Sequence, residues 1–486
     1  MGLSIRAAPL VAVAEAVIEI TPGGIAEGLI QIVGTLDKPL LITGVTLGLL
    51  GLSALAGVLS RRSQLLSMLV FLAMGAIAFV AVWSRPGSGA YDVLPVVVGT
   101  LTWMAVLSFF VDYLTSSAKQ ADPSVVPALE DSAGQTRRGF LIRAGIVAGA
   151  SLVVGVGGQF VGRARRGVEA TRNLLRLPVS RGLVPAGADL GVEGIESWRS
   201  GNSGFYRIDT ALIVPTVDPN SWKLRIHGMV ERELEISYRD LLDRELTEAW
   251  VTLCCVSNEV GGDLIGNAWW SGVRIADLLE EAGVSPDADA VRQTSEDGWN
   301  CGTPLSVLTD DRNSMLAIAM NGEPLPVEHG FPVRMVVPGL YGYVSATKWL
   351  VDIEVTRFDR FTAYWTDRGW SAKGPVRTQS RVDTPRNGQN VPSGERRIGG
   401  SAWAQHTGVE KVEYRLDGAA WQPAELGRVP GLDTWVQWTA SVDLAAGEHD
   451  LAVRATDRSG YTQTAVERDV IPDGATGWHT VTFKAD

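Results

Sequence analysis

Three apolar runs near the start of the chain most constrain what it can fold into. They cover Leu40–Leu59, Leu65–Trp83 and Val93–Val111. Each is about 20 residues long, the length at which a helix crosses the hydrocarbon core of a bilayer. A fourth run, Phe140–Val161, opens with an arginine that can reach back to the interface. Four such runs in succession predict a transmembrane helical region rather than the buried helices of a soluble domain.

The distribution of positive charge predicts how this region is oriented. Arg61 and Arg62 separate the first two runs, and Arg137 and Arg138 precede the fourth. Both loops should therefore lie in the cytoplasm, and the large C-terminal part of the chain on the extracytoplasmic side. The apolar stretch 8–33 also carries glutamates, which favours an interfacial or packed segment and leaves a further span open.

The paired arginines at the start of the fourth run have a second interpretation. Thr136–Leu141, followed by small apolar residues, resembles a twin-arginine export signal. Simple positive-inside anchoring is the alternative. No convincing small-residue cleavage motif follows, so we expect a retained membrane anchor.

Composition excludes several classes of function. The formal net charge of −11 argues against general nucleic-acid binding, which needs a basic face. Three cysteines cannot form a disulfide framework. All five histidines lie at or beyond His227, so paired histidines cannot hold a haem inside the apolar runs, and no Cys-x-x-Cys-His attachment site is present.

Cys255 is the cysteine best placed for chemistry. It follows the apolar run Trp250–Leu253, which is typical of a buried strand, and it precedes a polar turn with Gly261 and Gly262. A thiolate at the end of a strand beside a glycine loop can bind a soft metal. The alternative is an ordinary buried thiol, the role we assign to Cys254 and Cys301.

Four motifs, in order, carry a family resemblance. They are Thr252–Asn258, Glu328–Arg334, Pro338–Gly342 and Lys348–Leu350. Together they resemble the sulfite oxidase family of molybdenum enzymes over about residues 203–470. The resemblance implies an α+β molybdopterin domain and a Mo-molybdopterin cofactor, with Cys255 as metal ligand and catalytic residue. A folded protein carrying such a cofactor suits the twin-arginine route.

The resemblance also implies the residues that contact the pterin. Its terminal phosphate needs cations and backbone donors. Arg207 is a second catalytic candidate, for binding an oxyanion, although a surface salt bridge is as good an interpretation. His329 satisfying a turn carbonyl and Lys348 as a surface lysine stay open as alternatives. The cofactor-binding candidates are Phe205, Tyr206, His329, Arg334, Gly342, Ser345 and Lys348.

Departures from the family pattern bear on the substrate. Glu259 and Val260 stand where sulfite oxidases proper have two arginines, and Asp209 and Thr210 stand where a histidine is expected. Trp365 takes the place of an active-site tyrosine. A less cationic pocket leaves a sulfoxide or another oxyanion open as substrate. The loop at 341–343 also resembles the methionine-sulfoxide reductase branch.

The chain from about Ser380 onwards has the pattern of short strands. A strand ends in the turn Asp417-Gly418, and Trp421, Trp435 and Trp438 supply large core surfaces. The pattern favours an immunoglobulin-like β-sandwich and resembles the dimerisation domain of sulfite oxidases, which leaves a homodimer open.

The sequence thus predicts a multi-domain protein. Its expected function is that of a bacterial, membrane-anchored, extracytoplasmic molybdopterin oxidoreductase that moves an oxygen atom to or from a small, sulfur-containing substrate. Its expected partners are that substrate, membrane lipid and an unidentified electron-transfer partner. A sulfoxide reductase, or a cell-surface binding or scaffold protein with a degenerate pterin site, is the alternative. The predicted regions are a transmembrane region at 1–161, a linker at 162–202, the molybdopterin-binding domain at 203–378 and the immunoglobulin-like domain at 379–486.

Overall fold

The computed structural model describes residues 9–21, 37–60, 62–84, 92–119, 142 and 167–486. The chain divides into two compact units, Met1–Gly167 and Val168–Asp486. The described helices of the first unit are α1 (Pro9–Ile20), α2 (Asp37–Leu59), α3 (Gln64–Trp83) and α4 (Leu94–Lys119).

Two helices of the first unit have the length and apolar composition of a membrane span. They are Lys38–Leu59 of α2 and Gln64–Trp83 of α3, whereas α1 and α4 contain shorter apolar stretches. Buried side chains of α1, α3 and α4 form one small apolar cluster that includes Ala12, Val82 and Val96. The start of the stretch 8–33 is therefore a packed helix. Apart from Ile142, the predicted fourth run lies outside the described residues, as do its paired arginines.

The second unit is built mainly of strands. A helical stretch covers residues 167–174. The short helices that follow are α5 (Tyr238–Leu242), α6 (Ile275–Ala282) and α7 (Ser306–Thr309). The strands are β1 (Lys223–Gly228), β2 (Leu234–Ser237), β3 (Thr247–Cys254), β4 (Ile265–Arg274), β5 (Ala290–Ser295), β6 (Asn300–Pro304), β7 (Met315–Met320), β8 (Glu323–Pro324), β9 (Arg334–Val336), β10 (Leu350–Thr356), β11 (Gln379–Thr384), β12 (Asn390–Val391), β13 (Gly394–Trp403), β14 (Val409–Leu416), β15 (Gln422–Pro423), β16 (Glu425–Leu426), β17 (Val436–Leu444), β18 (Gly447–Asp457) and β19 (His479–Ala485).

Two sheets make up the part of this unit that precedes residue 379. One has the strand order β2-β1-β10-β5-β6, in which only β1 and β10 run parallel. The other has the order β3-β4-β7-β8, with β9 also paired to β7. Helix α6 buries one face, with Ile275, Leu278, Leu279 and Ala282 inward, and ends at Gly283, whose φ of 70° suits a residue without Cβ.

Strand β3 is apolar on both faces, so it lies inside the unit. Trp250 and Cys254 belong to a first cluster of buried apolar side chains, while Val251 and Leu253 belong to a second cluster. This division follows from the alternation of side chains along a strand. The second cluster also contains Phe205.

The C-terminal region consists of two further sheets, ordered β11-β13-β17-β16 and β12-β19-β18-β14-β15. Side chains from both sheets share one apolar cluster, which includes Ile398, Trp438 and Val453. Trp435 is fully buried as well. Trp421, predicted in the core, is only partly buried, because its ring packs against Trp478 and two arginines at the edge of the region.

Hydrogen bonds join this C-terminal region to the end of β3. The Thr252 amide donates to the Asp433 carbonyl at 2.9 Å, and the Trp435 amide donates to Thr252 Oγ1 at 2.8 Å. The buried Arg381 donates to the carbonyl of Gly262 at 2.9 Å. The C-terminal region therefore stabilises both the strand that leads to Cys255 and the loop that follows this residue.

Candidate functional site

The two adjacent cysteines face opposite sides of the sheet. Cys255 extends the ladder beyond β3, since its amide donates to the Leu264 carbonyl at 2.9 Å. Cys254 is 1% exposed and lies in the first cluster, whereas Cys255 is 8% exposed and belongs to neither cluster. By strand alternation, the Cys255 thiol points to the side of Phe205 and the second cluster.

Two tyrosines report the same division. Burial raises the pKa of Tyr206 well above its usual range, and the Cys255 sulfur adds more to this rise than the Cys254 sulfur. Burial also raises the pKa of Tyr341, and there the Cys254 sulfur contributes more than the Cys255 sulfur. Because a charge acts more strongly at short range, Cys255 faces Tyr206 and Cys254 faces Tyr341.

Gly342 brings a third segment to this place. A Cβ built on it would lie 3.9 Å from both the Tyr206 hydroxyl and the Cys254 carbonyl, with Ala346 Cβ at 3.6 Å. These are ordinary van der Waals separations, so the backbone at Gly342 approaches both segments closely. The end of β3, the segment at 205–206 and the loop at 341–346 thus converge, as the sequence motifs predict.

Arg334 is a buried cation on the same side. It is 5% exposed, and its guanidinium donates to the carbonyls of His329 (3.2 Å), Ala346 (3.5 Å) and Met335 (3.4 Å). It forms no ion pair within the part of the chain that the structure describes, and burial lowers its pKa to about 10. A buried, unpaired cation is costly in the absence of an anion. This position therefore suits an anionic ligand.

Lys348 and Arg207 share one carboxylate. Asp209 Oδ2 lies 2.8 Å from Lys348 Nζ and 2.9 Å from Arg207 Nε. The Lys348 side chain is 11% exposed, and burial lowers its pKa to about 8. The Arg207 side chain is 42% exposed. Asp209, noted in the sequence only as a departure from the family pattern, is thus the counter-ion of two predicted site residues.

His329 is neutral at physiological pH. Burial lowers its pKa to about 4, and the charges of Arg334 and Lys348 act in the same direction. Its Nε2 lies 3.1 Å from the Asn202 carbonyl, which accepts a hydrogen bond when Nε2 carries the proton. The Phe205 ring packs edge-on against His329 at 5.6 Å. Phe205 therefore supports the histidine within the apolar cluster.

Buried hydroxyls hold the loop at 340–347 from within and from behind. Ser345 Oγ donates to the Tyr341 carbonyl at 2.9 Å, so this hydroxyl serves the loop itself. Thr303 Oγ1 donates to the Val344 carbonyl, and Thr347 Oγ1 lies 3.3 Å from the sulfur of Cys301. Sequence reasoning missed these supports, because Cys301 and Thr303 reach the loop from β6, a strand that is distant in sequence.

The residues present fit a molybdopterin. Cys255 offers a sulfur donor just beyond the end of β3, and Gly342, without a Cβ, lets the backbone of the loop come close to this strand end. Among the described residues, Asp209 pairs with Lys348 and Arg207, while Arg334 has no acidic partner, and this excess of positive charge suits a phosphate. Neutral His329 adds a hydrogen-bonding group. A soft donor and a cationic cradle are the two features that such a cofactor requires.

Comparisons with known proteins point to the same chemistry. Residues 211–365 match the family described as "Oxidoreductase molybdopterin binding domain". The chain is 30% identical to human mitochondrial sulfite oxidase over 299 residues, which is 51% of this chain and 54% of that enzyme. It is 36% identical to the uncharacterized oxidoreductase YuiH of Bacillus subtilis over 157 residues, which is 32% of this chain and 76% of that protein.

A solved structure shares the fold. The sulfane dehydrogenase SoxCD from Paracoccus pantotrophus aligns with a TM-score of 0.51 and 22% identity, covering 64% of this chain and 88% of that one. The chain spans about half the length of the mammalian sulfite oxidases that it matches. The match to YuiH covers more than two thirds of that protein, so the relationship is not confined to a short motif. The chain therefore belongs to the sulfite oxidase family of molybdopterin oxidoreductases, and its cofactor is Mo-molybdopterin.

Proposed function

We propose that the chain is an oxygen-atom-transfer enzyme in which Cys255 is the protein ligand of molybdenum. The observation that carries this proposal is the direction of the two thiols. Cys254 is packed in the first cluster, whereas Cys255 lies outside both clusters and faces Tyr206. When bound, the molybdenum centre would either give an oxygen atom to the substrate and take up two electrons, or take an oxygen atom from the substrate and give up two electrons.

The chain's own residues bind and orient the cofactor. Arg334 and Lys348 supply charge-assisted donors for the phosphate, and neutral His329 supplies an uncharged hydrogen-bonding group. Burial keeps the Tyr206 hydroxyl protonated, because it raises the pKa of that group. Tyr206 can therefore donate a hydrogen bond beside the sulfur without adding a second negative charge.

We propose a small, sulfur-containing substrate of low charge. Arg207, the cation predicted to bind an oxyanion, shares Asp209 with Lys348, so we assign it to the phosphate of the cofactor rather than to a substrate oxyanion. The turn after Cys255 carries Glu259 in place of a cation. These observations favour the second candidate function, a sulfoxide reductase, over a sulfite oxidase proper.

A further part of the proposal is that the protein is anchored in a membrane, with the second unit on the extracytoplasmic side. Support comes from α2 and α3, whose length and composition suit a span, and from outward apolar side chains such as Leu65, which is 67% exposed. We also infer that Arg137 and Arg138 direct export of the folded protein. Changing both to lysine should leave the second unit inaccessible to surface labelling; normal labelling would contradict the signal.

We propose the domain limits 1–161, 162–202, 203–378 and 379–486, with an immunoglobulin-like sandwich as the last domain. The two sheets that share one apolar cluster support this view. A homodimer formed through this region, and an electron-transfer partner that accepts or supplies the two electrons, complete the proposal. Light scattering of the purified chain tests the dimer.

Metal and pterin analysis tests the central proposal. The full chain, produced with ample molybdate, should contain molybdenum and pterin in near-equal amounts per polypeptide. A screen with an artificial electron donor or acceptor should then include sulfite and methionine sulfoxide. A chain that lacks both molybdenum and pterin would exclude the enzyme and favour a binding protein with a degenerate site.

A further inference from the structure

Asp209 is the most deeply buried acidic group beside the predicted cofactor cations. Its side chain is 4% exposed, and one oxygen accepts from both Lys348 Nζ at 2.8 Å and Arg207 Nε at 2.9 Å. A carboxylate in this position is itself costly unless it is paired. The pairing therefore fixes three side chains relative to one another.

The geometry leaves donors available on both cations. Lys348 Nζ also donates to the Glu328 carbonyl at 3.2 Å and lies 4.6 Å from the centre of the Trp349 ring. An ammonium has three protons, so one remains for a ligand. The Nε of Arg207 donates to Asp209, and the Arg207 side chain is 42% exposed, so other protons of the guanidinium can reach a ligand.

The charges that face Lys348 come from several segments. Asp209 attracts its proton, whereas the cations Arg334 and Arg207 repel it, and His329 is neutral nearby. Arg334 has no acidic partner in the part of the chain that the structure describes. One carboxylate thus stands against three cations, which leaves net positive charge for an anion while lowering the repulsion among them.

We propose that Asp209 is a positioning residue that holds Lys348 charged and Arg207 in place to receive the phosphate of the pterin. This inference rests on the proposed cofactor site and adds a residue that the motifs did not assign. Asp209 itself does not touch the phosphate; it acts through the two cations.

A pH dependence follows from this arrangement. Burial lowers the pKa of Lys348 to about 8, and Asp209 opposes that change. Without the carboxylate, the pKa of Lys348 falls further, so the lysine is neutral at a pH where the wild-type lysine is charged. Attraction for a phosphate is lost as the pH rises through the lysine pKa, so the loss should occur at lower pH in Asp209→Asn.

The experiment measures how much pterin the full chain retains. Wild type, Asp209→Asn, Asp209→Glu and Lys348→Gln are incubated from about pH 6 to about pH 9, a range that brackets the titration of a buried lysine. Free cofactor is removed, and the retained pterin is measured by fluorescence after oxidation. Asp359→Asn is the matched control, because it removes a carboxylate that is 65% exposed and paired with Arg357.

We expect the midpoint of pterin loss in Asp209→Asn to fall by about one pH unit or more, since removing a nearby opposite charge shifts a pKa by that amount. Asp209→Glu and Asp359→Asn should follow wild type. Lys348→Gln should lose the pH dependence, with or without Asp209→Asn, which separates this effect from a general loss of folding.

Two outcomes would overturn the inference while leaving the cofactor site intact. One is a pterin-loaded Asp209→Asn whose retention curve superimposes on that of wild type. The other is a shift that persists in the Lys348→Gln background, because the titrating group would then be another residue. A wild-type chain that holds no pterin would overturn both this inference and the proposed function.

Discussion

The sulfur end and the cation end of the candidate site are built on different principles. At the sulfur end, a strand places two thiols on opposite faces, and only Cys255 is left outside the packed clusters. At the cation end, Arg334 and Lys348 are held in a poorly solvated place by backbone carbonyls and one carboxylate. The alternation of side chains along the strand determines which thiol is available at the sulfur end. The balance of charge and burial determines how strongly the cation end attracts an anion.

The largest effect should come from separating the two thiols. Cys255→Ser should lower turnover and molybdenum content by more than about 100-fold, because loss of even an outer-shell partner of a metal costs 10–100-fold. Cys254→Ser should keep its molybdenum, since that sulfur faces the packed side. Metal content and turnover of the two purified variants test this contrast. Equal losses, or the reverse order, would show that the alternation was assigned wrongly.

At acid pH, the low pKa of His329 should reduce the stability of the folded chain. Its pKa is about 4 when folded, whereas the unfolded side chain has the ordinary value of 6.5. Between these values only the unfolded chain takes up the proton, so stability is lost as the pH falls from 6.5 to about 4. The loss amounts to about 3 kcal/mol.

Urea unfolding of the cofactor-free chain at two pH values measures this effect. In wild type, the free energy of unfolding should differ by about 3 kcal/mol between the two pH values. In His329→Gln, which keeps a donor for the Asn202 carbonyl, that difference should largely disappear. His227→Gln, on strand β1, is the control. An unchanged pH dependence in His329→Gln would mean that the histidine does not resist protonation in the folded state.

Arg334→Met should move stability and cofactor binding in opposite directions. Removing a buried cation that has no acidic partner should leave the cofactor-free chain as stable as wild type or up to about 2 kcal/mol more stable. The same change removes a donor for the phosphate, so pterin content should fall. Denaturant unfolding and pterin analysis measure the two effects. A joint loss of stability and pterin would assign the arginine a purely structural role.

The smallest effect on stability should come from Gly342→Ala. The added Cβ meets no atom closer than 3.6 Å, so the free energy of unfolding should change by less than about 1 kcal/mol, although the methyl group enters the space beside Tyr206. We therefore expect a measurable loss of pterin with little change in the free energy of unfolding. Gly330→Ala is the contrasting variant: φ there is 108° and Arg334 Cβ lies 3.0 Å away, so we expect a loss of about 1–3 kcal/mol. Calorimetry of both variants distinguishes strain from occupied space.

Local patterns predicted much of the fold. Apolar residues before Cys255 indicated the buried strand, which the structure has as β3. Helix α6 also has local signals, since its buried residues recur at helical spacing and it ends at Gly283. The turn Asp417-Gly418 has positive φ at both residues, as a tight hairpin requires. Each of these features depends on neighbours in sequence, so a single chain is sufficient to recognise it.

The parts that sequence could not supply depend on distant segments. Asp209 and Lys348 are far apart in the chain, and nothing in either motif indicates that they pair. Arg334 lies in a short strand, where the sequence permits a solvated charge, yet the structure buries it beneath the loop at 341–346. Thr303 supports the same loop from another sheet. Pairings of this kind are set by tertiary packing, which residue type alone does not encode.

The hydrogen bonds from Asp433, Trp435 and Arg381 to the neighbourhood of Cys255 carry a practical consequence. We therefore expect that cutting the polypeptide at the proposed domain limit near residue 378 disrupts the site. A premature stop codon or a protease nick beyond it would leave every motif residue in the product, yet remove the scaffold that fixes the sulfur. Truncated proteins that end there should be poorly soluble and should contain little metal. Disruptive mutations in the final hundred or so residues should have the same effect as loss of Cys255.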